Sequence, residues 1–180
     1  MTRAFIGIGS NIEPEKNVRA AIRSLAQQTR VTGISTVYCT GAFDRPEQPH
    51  YFNCVVEIET EAPPAEVKHG ILRPIENSLG RKRSADKYAP RTIDLDLLIY
   101  GDLVMDEEDI RLPDSEILER PFLAIPLFEL APDLVLAGYN LRIGEIAARL
   151  PQDGMKPLED YTWLLREDEN RGFGTKEGNE

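Results

Sequence analysis

Asp94 and Asp96 stand two residues apart, just after a segment dense in arginine and lysine. Ile93 to Tyr100 (IDLDLLIY) is an apolar run broken only by those two acids, the pattern of a buried strand. Side chains alternate across a strand, so both aspartates share one face and Leu95 and Leu97 the other. Their Cα atoms would sit about 6.5–7 Å apart, close enough for the carboxylates to share a cation or hold two adjacent ones. Carboxylates on a hydrophobic strand are costly unless something positive meets them. The candidates are a divalent metal or the bases immediately upstream. From 81 to 91, five bases (Arg81, Lys82, Arg83, Lys87, Arg91) stand against one acid, Asp86, giving +4 in a chain of net charge −10. A cationic island in an acidic chain suggests a small anionic ligand, and phosphate fits best.

Phosphoryl transfer needs metal ions on phosphate oxygens and fixed cations to hold charge while a bond exchanges. Asp94 and Asp96 can seat magnesium, which takes a few carboxylates and completes its shell with water and phosphate oxygens. Arg81, Arg83 and Arg91 can supply forked donors. No GxxxxGK[ST] is present, so this is not a P-loop protein. Gly7-Ile8-Gly9-Ser10-Asn11 has Ile12 where a dinucleotide fingerprint needs glycine, and its glycines are read instead as allowing close backbone approach.

The composition, 41% hydrophobic and 29% charged over 180 residues, is that of one globular domain with a real core. The net negative charge argues against a general nucleic-acid or anionic-membrane binder. Cys39 and Cys54 form neither a disulfide framework nor a zinc pattern and read as free, buried thiols. The N-terminal MTRAFIGIGSN lacks the apolar length of a signal peptide, and no stretch approaches ~20 apolar residues, so a cytoplasmic protein is expected.

The elements that would carry these residues follow from periodicity. Ala4 to Ile8 is a strand. Pro14 to Gln28 is an amphipathic helix with Val18, Ala21, Ile22, Leu25 and Ala26 on one face. Val31 to Tyr38 is β-rich, a loop runs from Thr40 to His50, and Tyr51 to Thr60 alternates as a strand. Its Tyr51–Asn53–Val55 face could line a pocket, with Glu57 and Glu59 continuing toward solvent. Pro63-Pro64 opens a second helix through Val67, Ile71, Ile75 and Leu79, with Pro74 predicting a kink and Gly80 a stop. After the Asp94/Asp96 strand come a polar hairpin (Asp102 to Leu112), a short apolar helix (Phe122 to Ala131) and a last small helix around Ile143 to Leu150. Strand, helix, strand, strand, helix, strand predicts a ferredoxin-like α+β sandwich, βαββαβ, with the hairpin and short helices added after the core. Residues 1–166 are expected to form a single catalytic domain and 167–180 a polar, mobile tail.

Pro90 to Gly101, PRTIDLDLLIYG, resembles the signature of the 6-hydroxymethyl-7,8-dihydropterin pyrophosphokinase family. The similarity extends, in order, to GIGSN, to Gln48–Asn53, to Leu79–Arg83 and to Arg120–Leu134, covering roughly residues 2 to 150. The resemblance implies ATP as co-substrate, two magnesium ions, and transfer of the terminal pyrophosphoryl unit to the pterin hydroxymethyl oxygen, in folate biosynthesis. It implies that Asp94 and Asp96 hold the metals and that Arg81 and Arg91 act near the transferred phosphates. Arg83 and Tyr88 would belong to a loop that closes over ATP, and Arg120 would lie on the nucleotide side. Asn53 would hydrogen-bond the pterin with Tyr51 close by, Phe122 would stack on its ring, and Thr40 and Phe43 would border it. The enzyme's role would be positioning and charge neutralisation, with Asp96 a candidate proton acceptor if no metal takes its free oxygen.

Two positions depart from the family. Pro113-Asp114 replaces the usual Pro-His, whose histidine contacts the nucleotide. An acid there should repel a triphosphate unless Asp114 turns away and Arg111 takes over. Thr40-Gly41-Ala42-Phe43 replaces a proline-containing loop, and Gly41 raises the entropy cost of ordering it. The alternatives are a paralogue acting on a related pterin alcohol and a non-catalytic pterin- or nucleotide-binding protein of the same fold. A monomer is the default, with small-molecule partners only.

Overall fold

The computed structural model describes residues 1–42, 46–86, 89–107 and 109–172. Strands β1 (Thr2–Ser10), β4 (Tyr51–Thr60) and β5 (Asp94–Tyr100) form the centre of an antiparallel sheet. β4 pairs with β1 on one side and with both β2 (Arg30–Ile34) and β3 (Tyr38–Thr40) on the other. The order β5–β1–β4–β2, with α1 (Pro14–Gln28) and a second helical stretch as crossovers, is the expected ferredoxin-like arrangement.

Each helix buries the stripe its sequence sets out. Val18, Ala21, Ile22 and Leu25 of α1 pack on Ala4, Ile6, Ile8, Cys54, Val56 and Ile58. The second crossover is not one α-helix. It runs as α2 (Pro64–Glu66), a π-helical turn (Val67–Leu72) and α3 (Arg73–Ser78). Pro74 has no N–H to give and its ring blocks the carbonyl four residues back, so the kink expected at proline takes the form of i→i+5 bonding just upstream. Val67, Ile71 and Ile75 remain buried throughout.

The opposite face of the sheet is covered too. Phe5, Val55, Leu98 and Ile99 meet Leu123, Ala124 and Leu127 of α4 (Pro121–Leu130) and Ile143, Ile146 and Ala147 of α5 (Ile143–Arg149). A register shift between Phe5 and Ile6 lets Leu98 and Ile99 both enter this second core. The hairpin is β6 (Met105–Glu107) with β7 (Ile110–Leu112), and a second small ribbon pairs β8 (Val135–Leu136) with β9 (Leu141–Arg142).

Several expectations are corrected. The β-rich segment to Tyr38 is broken at residues 35–37 into β2 and β3. Glu57 does not run free into solvent but pairs with Arg3 at 2.7 Å. Cys39 is only half-buried, with its Sγ 3.6 Å from His50 Nδ1, whereas Cys54 is fully buried and desolvation pushes its thiol up to about 12. The last helix is not the one at Ile143. β10 (Lys156–Pro157) pairs with β3, and α6 (Glu159–Asn170) follows, taking in residues 167–170 of the expected tail. Among the described residues, no helix is long and apolar enough to cross a membrane.

Candidate active site

Asp94 and Asp96 lie on β5, the edge strand, and face the side of the sheet that α4 only partly covers. The free edge of β5 is closed at two points. Leu95 N–H donates to Glu76 Oε1 at 2.9 Å, and Asp114 N–H donates to Leu98 O at 2.8 Å. These two bonds bring α3 and the segment after β7 to either side of the aspartates.

The basic loop is launched by the end of α3. Gly80 adopts φ +79°. Its N–H bonds to Asn77 O at 3.1 Å while Arg81 N–H bonds to Glu76 O at 3.0 Å, the paired bonds of a Schellman cap. The cap fixes where Arg81 leaves the helix, and its guanidinium then donates to Ile93 O at 2.7 Å and to Asp94 Oδ1 at 2.6 Å. Arg91 meets the other oxygen, Oδ2. Arg91 is held in turn by Asn11, which accepts its N–H at 2.7 Å and donates its own N–H to Arg91 O at 3.1 Å. Asn11 Nδ2 also reaches Pro49 O at 3.3 Å, so the GIGSN turn ties the basic loop to the loop before β4.

Asp96 contrasts with its neighbour. Among the described residues nothing donates a hydrogen bond or an ion pair to its carboxylate. Desolvation, followed by the charges of Asp94, Asp114, Glu76 and Glu116, holds that carboxyl well above the usual range. By surface area Asp96 is open to the cleft although protein crowds around it. The repulsion, which needs no burial, is the firmer cause. Repulsion among carboxylates at a strand aspartate with no direct ion pair among the described residues suits a divalent metal. No group of three or more His, Cys, Asp or Glu is arranged to hold a metal among the described residues, so a cation here would draw on water and phosphate oxygens.

Two cavities meet at this point. Thr40, Tyr51, Asn53, Phe122 and Arg120 line the inner one. Arg81, Arg83, Lys68, Arg73 and Arg111 line the outer one. Arg91, Asp94, Asp96, Asp114 and Glu116 border both. Arg120, expected on the nucleotide side, therefore lies with Phe122 on the inner wall. Phe43 and Tyr88 lie outside the described residues.

Asn53 is set by its neighbours. Its Nδ2 donates to Thr40 Oγ1 at 2.8 Å, and a Cβ at Gly9 would come within 2.9 Å of its Oδ1. Glycine at position 9 is required for this close approach, as the sequence suggested. Gly41 differs, because a Cβ there meets nothing within 4 Å.

Residues 5–132 match the model of the 7,8-dihydro-6-hydroxymethylpterin-pyrophosphokinase family. The chain belongs to this family. The 2-amino-4-hydroxy-6-hydroxymethyldihydropteridine pyrophosphokinase of Methylorubrum extorquens is 38% identical over 165 residues, 88% of this chain and 100% of the relative. That of Haemophilus influenzae is 37% identical over 139 residues, 76% of this chain and 86% of the relative. Among solved structures, wild-type HPPK-DHPS of Plasmodium falciparum superposes with a TM-score of 0.65 at 11% identity, and this likeness speaks to the fold alone. It covers 98% of this chain, which spans less than half (47%) of that one. The pyrophosphokinase family match leaves β8 to α6 outside it.

Glu76 and Asn11 were missed in the sequence reading. Glu76 is 3% exposed and contacts Leu95 N–H, Arg83 at 3.1 Å and Arg81 at 3.7 Å. A glutamate falling beside Ile75, on the helix stripe, was the available signal.

Proposed function

We propose that this chain passes the pyrophosphoryl unit of ATP to the hydroxymethyl oxygen of 6-hydroxymethyl-7,8-dihydropterin, with magnesium, giving AMP and the pterin diphosphate for folate biosynthesis. The observation that carries the reading is the meeting of an aromatic- and amide-lined cavity with an arginine-lined one at Asp94 and Asp96.

In this reading the pterin enters the inner cavity. Phe122 offers a ring face, and Asn53, held by Thr40, presents its remaining amide donor and acceptor to the heterocycle's edge. ATP lies in the outer cavity with its β- and γ-phosphates toward the junction. The pterin hydroxyl oxygen forms a bond to the β-phosphorus and gives up its proton to water, the bond from that phosphorus to the α-phosphate's bridging oxygen breaks, and AMP leaves. Arg81 and Arg91 stand where charge gathers on the transferred phosphates, and Arg83 and Arg111 line the nucleotide's side. Asp94 and Asp96 would hold magnesium, which supplies charge neutralisation on the phosphates. Asp94 accepts from Arg81 and Arg91, so holding magnesium there would leave those arginines to the phosphates. We further infer a cytoplasmic monomer that acts on small molecules.

AMP release in the presence of ATP, magnesium and the dihydropterin alcohol tests this reading. Turnover with a different pterin alcohol alone would favour a paralogue, and none with any pterin alcohol would leave a binding protein.

Asp114 sharpens the substrate question. Its Oδ1 caps the 3-10 turn Ser115–Leu118 by accepting Glu116 N–H at 2.9 Å, yet its carboxylate borders both cavities. Burial, ahead of repulsion from Glu116, raises its carboxyl above the usual range. Asp114→His should tighten ATP binding about tenfold, since one charge facing a triphosphate costs roughly 1–4 kcal/mol at ~4 Å. Calorimetry with a non-hydrolysable analogue measures it; unchanged binding would mean that Asp114 does not face the nucleotide.

A further inference from the structure

The break between β2 and β3 leaves backbone groups at residues 34–37 without a strand partner, and buried groups of this kind must be met elsewhere. Ser35 stays on β4 through its N–H to Val55 O at 3.0 Å and its Oγ from Val55 N–H at 2.9 Å. Thr36 N–H donates to Glu129 Oε2 of α4 at 2.8 Å. Thr36 O accepts from Ser35 Oγ at 3.0 Å, and Ile34 O and both Val37 groups are met by the C-terminal unit. Arg166 Nε donates to Ile34 O at 2.9 Å, and Leu158 N–H donates to Val37 O at 2.8 Å. Val37 N–H donates to Thr162 Oγ1 at 2.9 Å, whose hydroxyl passes its own proton to Leu158 O at 2.8 Å.

Val37 and Leu158 thus pair as two antiparallel residues would, with the second bond relayed through the Thr162 hydroxyl. The relay is dry, because Val37 is 0% and Thr162 3% exposed. Immediately before it, β10 extends the sheet along β3, with Lys156 opposite Cys39 and Pro157 opposite Tyr38. β3 is three residues long and ends on Thr40, the acceptor that orients Asn53. On its other side, Tyr38, Cys39 and Thr40 pair with Asn53, Phe52 and Tyr51. This short strand is therefore held on one side by β4 and on the other by the unit that begins at Lys156.

We infer that β10 and α6, through Thr162 and with help from Arg166, form a positioning element for the pterin side of the site. Thr162 touches no substrate. It fixes Val37, which fixes the start of β3, which places Thr40 and with it the Asn53 amide. This rests on the pterin reading of the inner cavity. It also gives β10 and α6, which lie outside the family match, a role in binding rather than in stability alone.

The test uses full-length protein as wild type, Thr162→Val, Thr162→Ser and Arg166→Ala. The valine keeps the shape and strands the Val37 N–H. A buried donor left without an acceptor should weaken pterin binding about tenfold by fluorescence titration. The Kd of a non-hydrolysable ATP analogue with magnesium should stay within about twofold, and amide exchange at 37–40 should quicken. Thr162→Ser restores the hydroxyl and should return pterin affinity to near wild type. Arg166→Ala should shift it the same way by less. Unchanged pterin affinity in folded Thr162→Val, or equal weakening toward pterin and nucleotide, would overturn the inference. If the valine variant does not fold, unchanged pterin affinity in Arg166→Ala with faster exchange at 34–37 would do so. Pterin binding is measured directly, so wild-type protein that binds the pterin but releases no AMP counts against the catalytic reading only.

Discussion

Asp96→Ala abolishes AMP release, by at least about a thousandfold, while the protein keeps its fold. Removing one preorganised transition-state contact commonly costs a hundred- to a thousandfold, and Asp96 is also a metal seat in the proposed reaction. Folding does not depend on it, since no donor in the described structure is satisfied by its carboxylate. Asp96→Asn goes further. Desolvation and then repulsion from Asp94, Asp114, Glu76 and Glu116 raise the Asp96 carboxyl in the folded state. A carboxyl raised on folding binds its proton more tightly in the native protein, so its contribution to stability falls as pH rises from the ordinary aspartate range through the raised one. The asparagine variant should therefore melt higher than wild type at neutral pH without metal, and magnesium should narrow the gap by stabilising wild type alone. Melting scans against pH with and without magnesium, beside the AMP assay, check this. Near-normal turnover would remove the metal-seat role. An unchanged melting midpoint would remove the repulsion.

The sequence posed metal and arginine as rival partners for two acids on one strand. The structure divides them. Both oxygens of Asp94 are taken by Arg81 and Arg91, and Asp96 is left facing carboxylates. Period-2 alternation was enough to put both acids on one face, but it could not tell which would be paired. That depends on the Schellman cap at Gly80 and on Asn11 gripping Arg91 from the end of β1, contacts between residues up to 80 apart in the chain. The order of elements and the α1 stripe were legible because burial on one face writes itself into periodicity. The break at 35–37 and the existence of α6 were not. The break's backbone groups are met by single side chains such as Thr162 and Glu129, which leave no period to read, and α6 buries only Thr162 and Leu165. The covering of Val55 by α4 escaped for a related reason, since an alternating strand looks the same whether its second face meets water or a later helix.

Glu76 is the residue on which these local arrangements converge, and its replacement carries the second large effect. Glu76 Oε1 receives Leu95 N–H on the edge of β5 and stands 3.7 Å from Arg81 Nη1, and Oε2 receives Arg83 Nη2 at 3.1 Å. One buried carboxylate thereby joins the end of α3, the strand that carries the aspartates and two arginines of the loop between them. Glu76→Ala strands the Leu95 N–H and opens a cavity, which together should cost about 2–4 kcal/mol in stability. Turnover should fall about tenfold or more, because Arg83 loses its ion pair and Arg81 loses a second carboxylate beside the cleft. Glu76→Gln keeps an acceptor for Leu95 N–H and most of the volume, so it should recover most of the stability but not the grip on the arginines. The two variants therefore separate scaffold from function. Burial, ahead of the compensating pull of Leu95 N–H and Arg81, raises the Glu76 carboxyl above the ordinary glutamate range. Its contribution to stability consequently declines as pH rises through that window, and the glutamine variant should lose this slope. Chemical denaturation across pH and the AMP assay measure both halves. Equal turnover in the glutamine variant and wild type would make Glu76 a scaffold residue alone. Unaltered stability in the alanine variant would mean that β5 does not depend on its carboxylate.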